Sequence, residues 1–590
     1  MKFIYKNRIT HFLALTILLV FTQCTDLEEQ VLDEVLGGES LTAESTLAAA
    51  YDRLGDKLFV DNGGMIAMQE YSTDEALLPT RGSDWGDGGK WRAMHEFTWT
   101  PNTPAIVDNW NRLTNGITRS LTAVAAISEN DDAQKTLFLA EAKGLLAFYV
   151  YLTLDLYNQA PYRDPLDNSA ALEAKQAAAT IDELINDVES IIPDLASLGQ
   201  QSTHTGRFTK EAAYALLADM YLNRAVFKDR FNPSSSFDFN ETSLDGSKTD
   251  MDKVIEYTSM LIDNGSFSLA SNYFSNFNID NSGAPEHIFA VVQMIDNIRN
   301  GDNDLGYVNQ ARNQRPSPGN RGTNASCTTP DFFASWDGNH EDPRFSRKYQ
   351  YADGTWFMND GTTGSVPADD KVPGTDLPWF HFNRGLLYGQ QYGPVLDGEG
   401  GFIMTDEGRI KVSLLYMEKS SDTPMDFTPE LDFDNPSESV FKQNQINRGV
   451  RIFKYEFDPE NGNGASKFDI PIYRLGGIYT MRAEAYFRKG ETGKAMADIN
   501  MLRTSRTREG LYGNVSGTAI ASLDEETLYK EIGYELYWEM HRRPQMIRFG
   551  TFDKAYTAKP ATDPFRRAFP IPQETIDVSD AFTQNSGYVN

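Results

Sequence analysis

AFPIPQETIDVSDAFTQNSGY, running from Ala568 to Tyr588, decides the fold of this chain together with three stretches ahead of it. The nearest is YELYWEMHRRPQMIRFGTFD, Tyr534 to Asp553; further back lie GRFTKEAAYALLADMYL, Gly206 to Leu222, and Cys24 at the end of an apolar run. Four such stretches in one order carry far more than any one alone. The run Glu535, Trp538, Glu539, His541, Arg542, Arg543 and Arg548 has the chemistry of an active site. It reads better as a helix whose end is pinned to the FPIP segment by arginine hydrogen bonds to backbone carbonyls.

Taken in that order, the four stretches resemble the SusD/RagB family of nutrient-binding outer-membrane lipoproteins. The resemblance implies a mainly α fold: a scaffold of tetratricopeptide-type helix pairs carrying a long irregular loop and short-strand insertion. It also implies a protein that binds and does not catalyse.

Lys2, Lys6 and Arg8 followed by the apolar stretch Phe12 to Phe21 form the n-region and h-region of a secretory signal peptide, too short to span a bilayer. Cys24 then stands where a lipoprotein is acylated, although Phe21, Thr22 and Gln23 depart from the usual residues before cleavage. Asp26, Glu28 and Glu29 resemble the acidic tether that exports such lipoproteins to the outer face. The expected organisation is a signal peptide over 1–23, a lipidated tether over 24–40, and one binding domain over 41–590 with a variable insertion at about 297–466. More than one acyl chain on Cys24 makes anchoring stable. No second apolar run is expected to span a membrane.

The full chain has 54 Lys and Arg against 84 Asp and Glu, a net charge of −30. Removing residues 1–23 leaves 590 − 23 = 567 residues and takes three positive charges, giving −30 − 3 = −33. A body of that charge repels phosphate backbones, so nucleic acid is excluded as a partner. Cys327 is the other cysteine, so acylation of Cys24 leaves no intrachain disulfide, and stability must come from core burial.

Apolar residues recur at three and four spacing in Ala140–Leu156, Lys210–Phe227, Met251–Leu261, Ile472–Phe487 and Leu528–Met540, predicting amphipathic helices. In the second, Ala213, Leu216, Leu217, Met220 and Tyr221 form one stripe, with Lys210, Glu211 and Asp219 on the other side. Beyond the break at Lys489 and Gly490, Ala495 to Leu502 completes a helical hairpin, with Ala483 and Ala485 set against Ala495 and Ala497. Between Asn297 and Ser466 the pattern changes to Gly, Pro, Asn and Asp with scattered aromatics, the composition of loops and short strands. A long irregular segment on a helical scaffold places function there and in the loop from Thr80 to Thr100.

That loop lies within EYSTDEALLPTRGSDWGDGGKWRAMHEFTWTP, Glu70 to Pro101, which resembles the loop that contributes to ligand binding in the family's glycan-binding members. The flat faces of Trp85 and Trp91 can stack on a pyranose, and Arg81, Asp84 and Asp87 can bond its hydroxyls. Gly82, Gly86, Gly88 and Gly89 allow a tight exposed turn. Each of Trp85 and Trp91 reads equally well as a plug of the core beneath; Trp99 is expected in the core, and the resemblance implies the same for Trp336, at a position the family fills with core apolar residues. Tyr307 leads a second aromatic group that includes Trp356, Trp379, Phe380, Tyr388 and Tyr392, with Arg312, Arg315 and Arg321 nearby. The candidate ligand residues are therefore Arg81, Asp84, Trp85, Trp91 and Tyr307.

No HExxH, GxSxG, GxGxxG or Walker loop is present, and the seven histidines show no paired ligand spacing. No catalytic residue, cofactor or metal ligand is assigned; Asp302, Asn303 and Asp304 have the chemistry for a structural calcium but lack the EF-hand pattern. The resemblance implies a lipid-anchored protein on the exterior face of the outer membrane. There it would capture an oligosaccharide or polysaccharide and pass it to a SusC-like TonB-dependent transporter. The alternatives are a RagB-like peptide receptor and, further off, a glycan-active enzyme.

Overall fold

The computed structural model describes residues 42–81, 84–167, 169–293, 303–418, 420–431, 448–460, 464–508 and 515–588. Cys24, the 1–23 leader, the 24–40 tether, Gly82 and Asp302 lie outside the described residues. Among the described residues nine helices of twelve residues or more form the scaffold: α1 Ala43–Gly55, α2 Pro104–Glu129, α3 Lys135–Tyr157, α4 Ala177–Ile191, α5 Lys210–Asp229, α6 Asp250–Ile262, α7 Leu475–Arg488, α8 Thr492–Ser505 and α9 Glu525–Leu536. Each of α1 to α8 packs on the next in chain order. The expected mainly α architecture of paired helices is borne out.

Local chemistry starts and stops these helices. Thr249 and Asp252 form a reciprocal capping box at the start of α6, and Asp524 caps α9 through the Thr527 N–H. Gly490, at φ +76°, breaks the α7–α8 hairpin. Ala483, Ala485 and Ala495 are fully buried, which lets the two helices approach closely; Ala497, expected in the same contact, is exposed.

Several boundaries differ from the periodic reading. Residues 470–474 form a strand paired antiparallel with His287–Val291, so the helix expected from Ile472 begins at Leu475. The helix expected to reach Met540 ends at Leu536, because Trp538 (φ +60°) and Met540 (φ +66°) turn left-handed. Their N–H groups donate to the buried carboxylates of Glu75 and Glu70. Burial pushes the Glu75 carboxyl up to about 7. Helix α5 has no solvated side of the kind expected: Glu211 is buried and accepts from the Leu198 N–H, while Asp219 receives the Tyr473 hydroxyl. Helix α3 is long and apolar enough to cross a membrane, contrary to expectation, but lies mostly inside the protein.

The quoted C-terminal segment caps α3. The Phe569 N–H donates to the Leu156 carbonyl at 2.7 Å, and the Asn585 amide reaches the Tyr157 carbonyl at 2.8 Å. Arg543 ties the same end down, with Asp155 at 2.9 Å and the Arg567 carbonyl just ahead of FPIP. This is the arginine-to-carbonyl pin expected from the sequence. Glu535 and Glu539 of that run have a different task.

The insertion leaves the scaffold at Val291 and returns at Ile470 through the antiparallel ladder. It holds short strands in sheets of two or three, such as Ser346–Arg347 and Arg451–Phe453 flanking Arg384–Leu387, and its own apolar cluster from Ala311 to Phe457. At the neck, ten ionisable groups are buried together: Asp342, Glu286, Glu531, Glu535 and Glu539 against Lys454, Arg344, Arg474, Arg503 and Arg506. Arg474 reaches Glu286 at 3.0 Å, Glu535 at 2.7 Å and Glu539 at 2.6 Å. Arg506 bridges Glu286 and Glu535, Arg344 joins Asp342 to Glu531, and Lys454 contacts Glu539 at 2.5 Å. Burial alone would raise the Glu286 carboxyl, but Arg506 and Arg474 outweigh it and hold it below the usual range.

Arg506→Met removes a guanidinium that Glu286 and Glu535 share, and losing one partner of a buried ion pair costs about 3–5 kcal/mol. Urea unfolding is expected to show a loss of that order; a loss below about 1 kcal/mol would mean that the network is dispensable.

Candidate functional site

The loop after Leu77 is built on a narrow turn in which Arg81 and Asp84 exchange backbone hydrogen bonds of 2.8 and 2.9 Å. Beyond it, Trp85 (φ +57°), Asp87 (+36°), Gly88 (+67°) and Gly89 (+83°) are left-handed. Two glycines bear this freely; a tryptophan does not, at a cost of about 1–2 kcal/mol. The Trp85 ring is held in place by donating Nε1 to the Thr323 carbonyl at 3.0 Å and by an edge contact with Trp91 at 6.2 Å. It remains half-buried, one part on the core and the rest open.

Two expected ligand residues point inward. Arg81 is 2% exposed, its Nε donating to the Ala325 carbonyl and a terminal nitrogen to that of Arg448. It pins the loop to the insertion and has no open face for a hydroxyl. Trp91 is 7% exposed, packs edge-on to Tyr71 and donates to Asp87 at 2.8 Å, which corrects the stacking role expected of it. Asp87, meanwhile, is exposed and shares its carboxylate with that indole. Trp99 and Trp336 are core, as the sequence implies.

Asp84 forms a two-point ion pair with Arg312, at 3.1 and 3.2 Å. Arg312, Arg315 and Arg321 converge in turn on Glu418, the first two at 3.9 and 4.0 Å. Burial, and then the neighbouring Arg321, lowers the Arg315 guanidinium. Three guanidiniums thus share the carboxylates of Asp84 and Glu418 in this patch. Asn313 donates to the Tyr416 carbonyl, which places the exposed Tyr416 at the same edge. Glu418 and Tyr416 are not distinguishable in the sequence from many residues of their kind.

Tyr307 is half-buried between the two apolar clusters, its ring 6.1 Å from Phe457. Its segment runs beside the Trp85 anchor, for Ala325 donates to the Val308 carbonyl and Asn324 to that of Gln310. Trp356 and Trp379 lie apart, in a cleft between the insertion and the segment 272–278. Of the calcium candidates, Asn303 is buried on the Ser466 and Phe468 carbonyls, and Asp304 accepts from the Asn62 N–H. Among the described residues no group of three or more His, Cys, Asp or Glu is arranged to hold a metal. The site thus offers, among the described residues, the Trp85 ring face and the exposed Tyr416, with guanidiniums and carboxylates for hydroxyls.

The sequence model of the SusD family matches residues 285–588. The starch-binding protein SusD of Bacteroides thetaiotaomicron is 25% identical over 537 residues, covering 88% of this chain and 84% of that protein. Among solved structures, a laminarin-binding SusD-like protein superposes with a TM-score of 0.60 at 17% identity, covering 92% of this chain and 99% of its own. The surface glycan-binding protein A of Bacteroides thetaiotaomicron, in complex with laminarihexaose, gives 0.59 at 16% identity, covering 92% and 98%.

Trp91→Ala empties a volume in the core, where truncating a large aromatic costs about 3–5 kcal/mol. Chemical denaturation is expected to register that loss, with Trp85→Ala losing far less; equal losses would return Trp91 to the surface.

Proposed function

The chain belongs to the SusD family, and on that premise we propose that it captures a glycan at the cell surface through the Trp85 loop. It is a binding protein and not an enzyme. The observation that carries the reading is Trp85 itself: a half-exposed indole held in a costly left-handed conformation beside the Asp84–Arg312 pair. Strain of that kind persists where surrounding bonds over-determine it and a ring must be presented. A pyranose laid on the indole would find the guanidiniums of Arg312, Arg315 and Arg321 and the carboxylate of Glu418 within the same patch. The names of its relatives, a starch-binding protein and a structure holding laminarihexaose, support the same class of ligand.

The finer reading adds a lipid on Cys24 that tethers the protein to the outer membrane, facing outward, and a SusC-like TonB-dependent transporter that receives the glycan. Residues 41–590 act in it as one binding unit. Arg81 and Trp91 support the loop from beneath, and Tyr307 supports the neighbouring segment.

A glycan array followed by calorimetry tests the capture site. Losing one aromatic contact is worth about 0.5–1.5 kcal/mol, so Trp85→Ala is expected to weaken binding up to about tenfold with little change in melting temperature. Unchanged affinity would remove the loop from the site. For the anchor, Cys24→Ala is expected to release the protein from the membrane fraction; retention there, with labelling on intact cells, would overturn it.

A further inference from the structure

A second cleft opens where the insertion meets the scaffold segment 272–278, bounded also by the strand Ser346–Arg347, residues 348–350, Trp356 and the segment 379–382. Three rings form a ladder along it. Trp379 stacks on His381 at 4.5 Å and 29°, and His381 stacks on Tyr349 at 4.0 Å and 9°. Asp370 locks the ladder from behind, bonded to His381 Nε2 at 3.1 Å and accepting from the Tyr349 hydroxyl at 3.3 Å. His381 is held between two rings, so Trp379 stands at the end of the stack, half-exposed, with Trp356 also half-exposed in the same cleft. Lys348, Gln350, Asn278 and Glu456 line the remainder with groups that can bond hydroxyls.

We propose that this cleft is a second carbohydrate subsite that stacks one pyranose ring of a long glycan on Trp379. Its volume of about 200 Å³ is below that of pockets for drug-sized ligands, so it suits a single ring of a chain and not a whole oligosaccharide. A pre-ordered ring face surrounded by amides and charges of both signs is what a sugar requires, with an apolar C–H face and polar edges. A nucleobase would also stack, but the acidic protein repels its phosphates. The inference rests on the reading of the protein as a glycan receptor. A second contact on the same chain raises the effective concentration of the glycan at the Trp85 loop without improving either contact.

Calorimetric titration with soluble starch and with laminarihexaose separates the two sites, using the wild type, Trp85→Ala, Trp379→Ala, Trp379→Phe and the double alanine variant. Trp379→Ala is expected to weaken binding of the probe the wild type takes up by about tenfold. Trp379→Phe keeps a ring on the ladder and is expected to stay near the wild type, which separates lost stacking from lost folding. Trp85→Ala is expected to retain residual binding that the double variant loses. If Trp379→Ala binds like the wild type while Trp85→Ala abolishes binding, the cleft is no subsite and the Trp85 site stands. The reverse pattern sinks the Trp85 site and leaves the cleft. Failure of the wild type to take up either probe overturns both.

Discussion

Five buried carboxylates facing five buried cations at the neck of the insertion are the constraint on which the other parts of this molecule depend. The components come from several separate places in the chain. Glu286 precedes the outgoing strand and Arg474 ends the returning one; Asp342, Arg344 and Lys454 belong to the insertion; Arg503 and Arg506 end the α7–α8 hairpin; Glu531, Glu535 and Glu539 come from α9 and the turn beyond it. Such a cluster need not add net stability over a well-packed apolar core, since desolvation consumes most of the Coulomb gain. Its effect here is on geometry. The charges balance only when scaffold, insertion and C-terminal helix meet in one arrangement, so a slip of any of them leaves a buried charge without its partner.

That dependence explains which parts of the fold were legible in the sequence. Helices α3, α5 and α6 follow from their apolar spacing because their neighbours in space are also neighbours in the chain. Residues 472–474 read as helix because their strand partner lies far back at 287–291, out of reach of any periodicity window. Met540 read as helical because nothing nearby announces that Glu70 and Glu75 will take the N–H groups of the turn. The C-terminal segment was recognisable, and its physical role, capping the last carbonyls of α3, emerges from the coordinates.

The site was legible to a similar depth. Glycines and tryptophans between Thr80 and Trp91 mark a loop that presents rings, but which ring faces outward is decided by the Thr323 carbonyl and by packing on Tyr71. Arg81 looked like a hydroxyl-binding group and instead bonds the Ala325 and Arg448 carbonyls. Glu418 is one of 84 carboxylates until three arginines converge on it. In the insertion, Trp379 was visible as an aromatic, whereas its stacking partners His381 and Tyr349 gave no signal, one being 32 residues away from the other (381 − 349 = 32).

The two-strand ladder at the neck has a consequence for how such a protein can change. Between Val291 and Ile470 lie 470 − 291 − 1 = 178 residues, and the entropy of closing a loop grows only with the logarithm of its length, so doubling it would cost about 0.6 kcal/mol. Because the ladder holds both ends together, segments away from Asp342, Arg344 and Lys454 can be lengthened or shortened at little thermodynamic cost to the helices. Such lengths of chain can then change at a pace set by the insertion's own small apolar cluster, while the residues at the neck stay fixed by the charges they pair.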